Sequence, residues 1–175
     1  MRLIGLAGWS GSGKTTLVTA LVPLLIARGY AVSTIKHAHH NFDVDKPGKD
    51  SHVHREAGAH EVLIASDQRW ALMHELRGVA EPVLQDLVAH LEPVDLVLVE
   101  GFKREAHPKL EVHRAAVGKA LLYPDDLHVV AIASDPHLPS ASIPSVSLND
   151  ISAIADLVER YAQAPDVIAW GRLKP

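Results

Sequence analysis

The hydrophobic positions of the chain follow two different spacings. Short, nearly continuous apolar runs such as VDLVLV (94–99) are typical of strands that a parallel sheet buries on both faces. Longer segments such as KTTLVTALVPLLIAR (14–28) carry apolar residues at helical spacing, and this one stops at Gly29, a common helix terminator. The pattern predicts strands at 2–7, 31–36, 61–65, 70–74, 94–99, 109–114 and 128–133, and helices at 14–28, 50–57, 79–91 and 151–161.

Strands that alternate with helices predict an α/β fold, with a mostly parallel, twisted sheet and helices on both of its faces. The chain has 175 residues and neither an internal repeat nor a linker, so we expect a single domain over residues 1–175. A small β-hairpin extension is expected between His107 and Tyr123, which makes that region a candidate element of a dimer interface.

Composition removes several classes of function. The formal net charge is −4 and no run of Lys and Arg is long enough to follow a phosphodiester backbone, so nucleic-acid and anionic-membrane partners are disfavoured. The chain has no cysteine, which excludes disulfides, thiolate catalysis and Cys-ligated metal sites. MRLIGLAG at the N-terminus lacks a small-residue cleavage site, and no apolar stretch approaches the ~20 residues that span a bilayer. We expect a cytoplasmic protein.

The segment GWSGSGKT (8–15) matches the P-loop motif G-x-x-x-x-G-K-[ST] at every fixed position, between a predicted strand and a predicted helix. Its glycines permit backbone angles that turn N–H groups inward, and the positive end of the helix adds to this anion site. The Lys14 ammonium is expected to reach the β- and γ-phosphates of a nucleoside triphosphate, and the Thr15 hydroxyl to ligate Mg²⁺. The predicted phosphate-binding residues of the loop are Gly8, Gly11, Ser12, Gly13, Lys14, Thr15 and Thr16.

A P-loop protein usually places an acidic residue near the magnesium, at the carboxyl end of a neighbouring strand. Asp95 and Glu100 bracket the apolar run, and at ~3.3 Å per residue they are about 16 Å apart in an extended strand. Because nucleotides bind at the carboxyl ends of parallel strands, Glu100 is the predicted metal residue and Asp95 a structural or solvated one. Gly101 allows close approach of the backbone there.

The segment that follows the second strand is rich in His and Asp. Its carboxylates are hard oxygen donors that suit Mg²⁺ or its waters, although Asp residues are also frequent turn formers. Its imidazoles invite a transition-metal interpretation, against the alternative that they are merely solvated. The residues concerned are Asp43, Asp45 and Asp50, and His37, His39, His40, His52 and His54.

Four blocks of the sequence together resemble one known family. They are GWSGSGKTTL, TIKHAHHNFDVDKPGKDSHVHREAGA, LVLVEGFKREAHPKLEVHR and AIASD, spread over about the first 135 residues. The chain resembles the molybdopterin-guanine dinucleotide biosynthesis adaptor family, MobB. This resemblance implies a P-loop NTPase fold of the signal-recognition-particle/MinD type, a homodimer, and GTP binding with weak hydrolysis. It also implies a helper role for the guanylyltransferase that joins GMP to molybdenum-bound molybdopterin.

By motif position, the resemblance assigns the phosphates and Mg²⁺ to the P-loop and places Glu100, with Asp45 or Asp50, beside the metal. It also implies a region where a second anionic ligand, such as molybdopterin, or the partner enzyme would bind. That region is the GFK…PK.EV.R block, and its basic residues are Lys103, Lys109 and Arg114.

The chain departs from its wider fold class in two places. Relatives often carry a lysine just after the first Gly of the loop, which reaches across a dimer, whereas this chain has Trp9. The usual guanine-reading motif N-K-x-D is also missing. Asp135, at the end of HVVAIASD, is chemically able to accept hydrogen bonds from guanine N1 and N2, but the preference for GTP over ATP rests on the resemblance.

The sequence is also compatible with two other functions. A GTPase that loads nickel into an enzyme shares the fold class and is often His-rich, although the lack of cysteine weakens this alternative. A small-molecule kinase would need an Arg-rich lid, and no such segment is visible in the sequence. No residue is assigned a catalytic role, because neither a water-orienting Gln nor an arginine finger stands out. We therefore expect tight nucleotide binding and slow turnover.

Overall fold

The structure, a computed structural model, describes residues 1–38 and 42–171. It divides the chain into two compact units, one formed by residues 1–37 together with the segment from residue 83 onward, and the other by residues 38–82. None of the helices in the described ranges is long and apolar enough to cross a membrane. The expected single domain over 1–175 stays a prediction.

The first unit is built on a six-stranded sheet in which every neighbouring pair of strands is parallel. Its strands are β1 (Arg2–Ala7), β2 (Val32–Lys36), β5 (Leu96–Glu100), β6 (Lys109–Arg114), β7 (Val129–Asp135) and β8 (Ser145–Ser147). They lie in the order β2-β5-β1-β6-β7-β8. Its helices are α1 (Lys14–Ala27), α3 (Leu84–Ala89) and α4 (Ile151–Tyr161), with short 3₁₀ turns at Ala115–Val117 and Pro165–Val167. The predicted parallel α/β architecture is confirmed.

Alternation along β5 explains how this sheet is covered on both faces. Leu96 and Leu98 point to one face, where they join a core cluster with buried residues of α1 and α4. Val97 and Val99 point to the other face, where they pack with α3 and the C-terminal Ile168. Successive strand residues face opposite sides, so a run that is apolar at every position needs cover on both.

The second unit contains α2 (Asp50–Glu56) and an antiparallel hairpin of β3 (Glu61–Ala65) and β4 (Trp70–His74). On one face of the hairpin Val62 is buried, whereas Leu63, Trp70 and Leu72 on the opposite face are exposed. Within the described residues, this unit therefore carries an exposed apolar face.

Three differences from the predicted elements have physical causes. The helix predicted at 79–91 spans only Leu84–Ala89, because the residue before Pro82 is disfavoured in helical conformation and the helix begins after it, with the Val83 N–H donating to Asp86 (3.3 Å). β8 was not predicted, since three residues are too few to show a pattern. The hairpin predicted between His107 and Tyr123 is wrong, because β6 lies inside the sheet and pairs in parallel with both β1 and β7.

Candidate nucleotide-binding site

The loop between β1 and α1 has the backbone of an anion nest. Gly11 and Gly13 adopt φ angles of 81° and 97°, a region that L-residues with side chains rarely enter. Helix α1 begins at Lys14 without a side-chain cap and without an acidic residue in its first turn. The first N–H groups of the helix, and the positive end of its dipole, are therefore left open to an anion. The Ser12 hydroxyl is buried beside them and has no hydrogen-bond partner within the described residues.

Lys14 folds back over this loop. Its Nζ donates hydrogen bonds to the carbonyl oxygens of Gly8 (2.9 Å) and Trp9 (3.0 Å). Burial lowers the pKa of the Lys14 ammonium, and the carboxylate of Glu100 opposes that shift. The nearby ammonium groups of Lys103 and Lys36 lower the pKa of Lys14 further. Three lysine ammonium groups therefore lie at or near this loop, where a polyanion would neutralise their charge.

Thr15 and Glu100 meet at the carboxyl ends of β1 and β5, as the sequence predicts. The Thr15 hydroxyl donates to Glu100 Oε1 (2.9 Å), and Lys36 Nζ lies 3.9 Å from Glu100 Oε2. A hydroxyl and a carboxylate side by side are hard oxygen donors of the kind Mg²⁺ prefers, so these two residues fit the metal that a bound triphosphate would bring. The assignment of Thr15 and Glu100 to Mg²⁺ stays a prediction, which this contact makes geometrically possible.

The other end of β5 has a structural acid. Asp95 Oδ2 accepts a hydrogen bond from the Ala31 N–H (2.8 Å) and so fixes the entry into β2. At the carboxyl end, the His37 N–H donates to the Glu100 carbonyl (2.8 Å), and a Cβ on Gly101 would lie 2.7 Å from the His37 Cβ. Gly101 thus permits the close approach of two neighbouring chain segments beside Glu100.

Arg114 and Asp135 lie at the carboxyl ends of β6 and β7. Arg114 Nη1 is 3.2 Å from Asp135 Oδ2, and both side chains are partly exposed. The other guanidinium nitrogen, Nη2, lies near Gly13, since a Cβ built there would be 3.5 Å away. Two strand spacings separate β7 from β1, about 10 Å, which is a distance that a nucleotide covers between its phosphates and its base. Arg114 therefore connects the phosphate loop to the predicted base-binding residue.

The Trp9 side chain brings two other loops into contact with the P-loop. Its indole Nε1 donates to the Ala120 carbonyl (2.8 Å), while the ammonium groups of Lys103 and Lys119 lie 4.6 Å and 5.9 Å from the centre of its rings. From the sequence, Trp9 is notable only for replacing a lysine. Lys119 is not predictable in this way, because nothing in its local sequence shows that the segment after β6 returns to the P-loop.

Two charges of β6 are fully buried and hold loops in place. Lys109 Nζ donates to the carbonyls of Lys103 and Glu105 (both 2.9 Å) and lies 2.7 Å from Asp126 Oδ2. Glu111 accepts the backbone N–H groups of Leu122 (2.8 Å) and Tyr123 (2.9 Å).

Burial lowers the pKa of Lys109 and raises that of Glu111, in each case against partners that favour the charged form. By sequence, Lys109 belongs with Lys103 and Arg114 to the basic block expected to contact a second ligand or the partner. The burial of Lys109 gives it a structural role instead, and only the other two side chains of that group are at least partly exposed.

The predicted metal residues of the second unit have a different setting. Asp45 is almost fully buried, with Oδ1 3.0 Å from Arg55 Nη2, and Asp43 Oδ1 lies 2.8 Å from Arg55 Nη1. Asp50 is the exposed first residue of α2. A guanidinium already supplies Asp45 with positive charge, and the assignment of Asp45 and Asp50 to Mg²⁺ stays a prediction.

Within the described ranges, no three His, Asp or Glu side chains come together as a metal-binding group. His37 packs its ring against Phe102, with ring centres 4.7 Å apart. His52 and His54 lie on α2. His39 and His40, which the transition-metal interpretation also uses, lie outside the described residues.

Comparison with known proteins decides the family. Residues 3–135 match the family model for MobB, molybdopterin guanine dinucleotide synthesis protein B. The chain belongs to the MobB family. The molybdopterin-guanine dinucleotide biosynthesis adapter protein of Escherichia coli K12 is 44% identical to this MobB-family chain over 167 residues, covering 92% of this chain and 93% of that protein. Its counterpart in Haemophilus influenzae is 46% identical over 162 residues, covering 91% and 88%.

The fold of this MobB-family chain is also similar to a solved structure. The crystal structure of a MobB protein homologue from Bacillus stearothermophilus superposes with a TM-score of 0.63 at 26% sequence identity, over 91% of this chain and 99% of that one. The family resemblance and the fold class that the sequence indicated are therefore confirmed.

Proposed function

We propose that this MobB-family protein is a GTP-binding adaptor that assists conversion of molybdopterin cofactor to its guanine dinucleotide form. The two curated relatives, similar along almost their whole length, are named as adapters of that pathway. The observation that carries the nucleotide part is the uncapped start of α1, where the Thr15 hydroxyl and Glu100 carboxylate meet 2.9 Å apart beside Lys14.

In this proposal the residues of 8–16 bind the triphosphate. The nest amides and the Lys14 ammonium neutralise phosphate charge, which requires Lys14 to exchange its bonds to the Gly8 and Trp9 carbonyls for phosphate oxygens. Thr15 and Glu100 would hold Mg²⁺, which when bound supplies further positive charge to the β- and γ-phosphates. Asp135 would accept hydrogen bonds from the guanine edge, while Arg114 orients its carboxylate.

Hydrolysis is proposed to be slow, as suits an adaptor whose role is to present a bound state and not to turn over substrate. Phosphoryl transfer needs a positioned water as well as charge neutralisation. A single-turnover assay of purified protein with GTP tests this. Turnover at about tens per second without a partner, within the ordinary range of enzymes, would contradict the adaptor role.

The direct test of the site is Lys14→Ala with a fluorescent guanine nucleotide. We expect affinity to fall between about tenfold and a hundredfold, because a charge-assisted hydrogen bond contributes about 1.5–3 kcal/mol. Arg160→Ala is the matched control, because Arg160 is a surface cation near the C-terminal end of α4. Gln163, three residues later, pairs with Leu3 near the amino end of β1, so Arg160 belongs to the end of the sheet opposite the P-loop. Unchanged affinity in Lys14→Ala would refute nucleotide binding at this loop.

The partner we propose is the molybdenum cofactor guanylyltransferase. Tagged protein should capture that enzyme from cells, and capture should be compared between cells that hold and cells that lack molybdopterin. Capture of the enzyme supports the adaptor role. If the enzyme does not bind the tagged protein in either kind of cell, the adaptor role is refuted even if nucleotide binding is intact.

We also propose that the protein is a homodimer. The support is the exposed apolar face of the hairpin, with Leu63, Trp70 and Leu72, since a two-stranded sheet alone is marginal and large exposed apolar patches mark contact surfaces. Light scattering should give twice the chain mass for the wild type and a lower mass for Leu72→Glu. A monomeric wild type would contradict the proposal.

A further inference from the structure

Two lysines from different loops come to the same residue of the P-loop. Lys103 lies in the loop between β5 and β6, and Lys119 in the segment between β6 and β7. Their ammonium groups are 4.6 Å and 5.9 Å from the centre of the Trp9 rings. A lysine over an indole face is weakly attracted to it, so each ammonium has a defined resting position at the edge of the nucleotide loop.

Neither ammonium is neutralised there. The chain has 21 acidic against 17 basic residues, yet no carboxylate of the described part of the chain forms an ion pair with Lys103 or Lys119. Both side chains are exposed. On a protein with more acidic than basic residues, most surface lysines can find a carboxylate partner. These two lysines lack one among the described residues and lie at the same ring, so together they form a local positive site.

The positions of the two lysines are built into the fold. The main-chain carbonyl of Lys103 accepts a hydrogen bond from the fully buried Lys109 (2.9 Å). The segment that carries Lys119 is fixed at Leu122 and Tyr123 by the fully buried Glu111, and by the Trp9 indole at Ala120. Burying a charge is costly unless the group is well paired, and here each buried charge positions one loop at the P-loop.

The site adjoins the proposed nucleotide phosphates. The Trp9 carbonyl accepts a bond from Lys14 Nζ (3.0 Å), while the ring of the same residue contacts Lys103 and Lys119. The long stems of the two lysines allow their ammonium groups to leave the indole and turn toward an anion at its edge. One ligand phosphate beyond those in the nest would thus meet two cations.

We propose that Lys103 and Lys119 form a phosphate-binding subsite at Trp9, which takes a phosphate group additional to those held by the backbone nest. The inference rests on the proposed nucleotide function, because the subsite adjoins the P-loop. Two sources share this chemistry: the terminal phosphate of the bound nucleoside triphosphate, and the phosphate of a second ligand. In the absence of a phosphate, the contact with the Trp9 ring holds both ammonium groups beside the loop.

The first arm of the experiment compares GDP with the slowly hydrolysed analogue GTPγS. Affinities are measured for the wild type, Lys103→Met and Lys119→Met, with Lys103→Arg to retain the charge and Arg160→Ala as the surface-cation control. If the terminal phosphate is the ligand, we expect each Met variant to weaken GTPγS by about five- to tenfold and GDP by less than about twofold, since only the former offers the extra charge. Lys103→Arg and Arg160→Ala should behave as the wild type.

The second arm saturates the protein with GDP and titrates inorganic phosphate by calorimetry at low salt. If a second ligand supplies the phosphate, the Met variants should keep both nucleotide affinities but lose phosphate binding to the GDP complex. Normal nucleotide binding with no effect of either Met variant in both arms would overturn the subsite alone. If the wild type bound neither nucleotide, the proposed function and the subsite would both fall.

Discussion

Two lysines of this protein have the same chemistry and opposite surroundings. Lys109, at the start of β6, is fully buried, and its three N–H donors meet two carbonyls and the Asp126 carboxylate. Lys14, at the start of α1, is partly exposed, and among the described residues its ammonium group donates hydrogen bonds only to two carbonyls of its own loop. Each lysine has a lowered pKa, with burial as the main cause.

The difference separates a charge that holds the fold together from one that is open to a ligand. A buried charge whose donors all have partners in the protein has no capacity left for a ligand, and removing it leaves a partner unpaired. A charge at an open loop, held only by weakly competing carbonyls, can exchange those bonds for a phosphate. The burial of a lysine and the number of its hydrogen-bond partners therefore separate the two cases, which residue type and sequence spacing cannot do.

The largest effect is expected from Lys109→Met. The change leaves Asp126 and two carbonyls without their donor in the interior, so the free energy of unfolding should fall by about 3–5 kcal/mol. Urea unfolding followed by circular dichroism measures it. Lys103→Met is the matched control, because it removes an exposed lysine and should change stability by less than about 0.5 kcal/mol. Similar losses of stability in both variants would show that the buried Lys109 is no more structural than the exposed Lys103.

A second prediction concerns His107, which lies beside Lys109. Burial, and then the charge of Lys109, lower the pKa of His107 to about 3, whereas its ordinary value is 6.5. Between these values the unfolded chain takes up a proton that the folded protein does not, so stability should fall as the pH falls. The slope from this group is about 1.4 kcal/mol per pH unit.

His107→Leu should remove that slope, whatever its effect on stability at neutral pH. Neither ring nitrogen of His107 has a hydrogen-bond partner in the described part of the chain, which makes an apolar replacement acceptable. Urea unfolding is measured from pH 7 to pH 4 for both proteins, with His90→Ala as a control for loss of an exposed imidazole. An identical pH dependence of wild type and His107→Leu would show that the imidazole titrates normally.

The third prediction compares the two ends of β5. Glu100→Gln should weaken the binding of Mg²⁺ to the nucleotide complex by about 10–100-fold, the range seen when groups around a metal are replaced. Nucleotide affinity should then depend less on Mg²⁺ than it does in the wild type. Asp95→Asn at the opposite end keeps an acceptor for the Ala31 N–H and should leave that dependence unchanged. Affinity is measured over a Mg²⁺ titration. An effect of Asp95→Asn as large as that of Glu100→Gln would show that the metal does not bind at the carboxyl end.

The parts of the candidate site that depend on local signals are predictable from the sequence. The P-loop is a contiguous motif with a physical reason for each fixed residue, and in a buried parallel strand only one of the two end acids, here Glu100, lies at the carboxyl end beside that loop. The long apolar runs gave the sheet and its two faces in the same way.

The rest depends on contacts between distant segments. The alternating KLEVHR of β6 is compatible with a half-exposed hairpin, and only tertiary contacts show that Lys109 and Glu111 are paired inside the protein. Lys119 lies 110 residues after Trp9, and no spacing rule brings the two together. A buried polar residue whose partners lie far away in the sequence therefore cannot be recognised as buried from the local hydrophobic pattern.

The smallest effect is expected at Asp135, because its pair with Arg114 is exposed and such pairs contribute only about 0–1 kcal/mol. Asp135→Asn should therefore leave stability nearly unchanged while the preference for GTP over ATP falls about tenfold, through loss of a charge-assisted bond to the guanine edge. Competition of each nucleotide against a fluorescent analogue measures the ratio, with Asp166→Asn as an exposed-acid control. If the ratio stays constant while Lys14→Ala weakens binding as expected, the phosphate site is right and the base is recognised elsewhere.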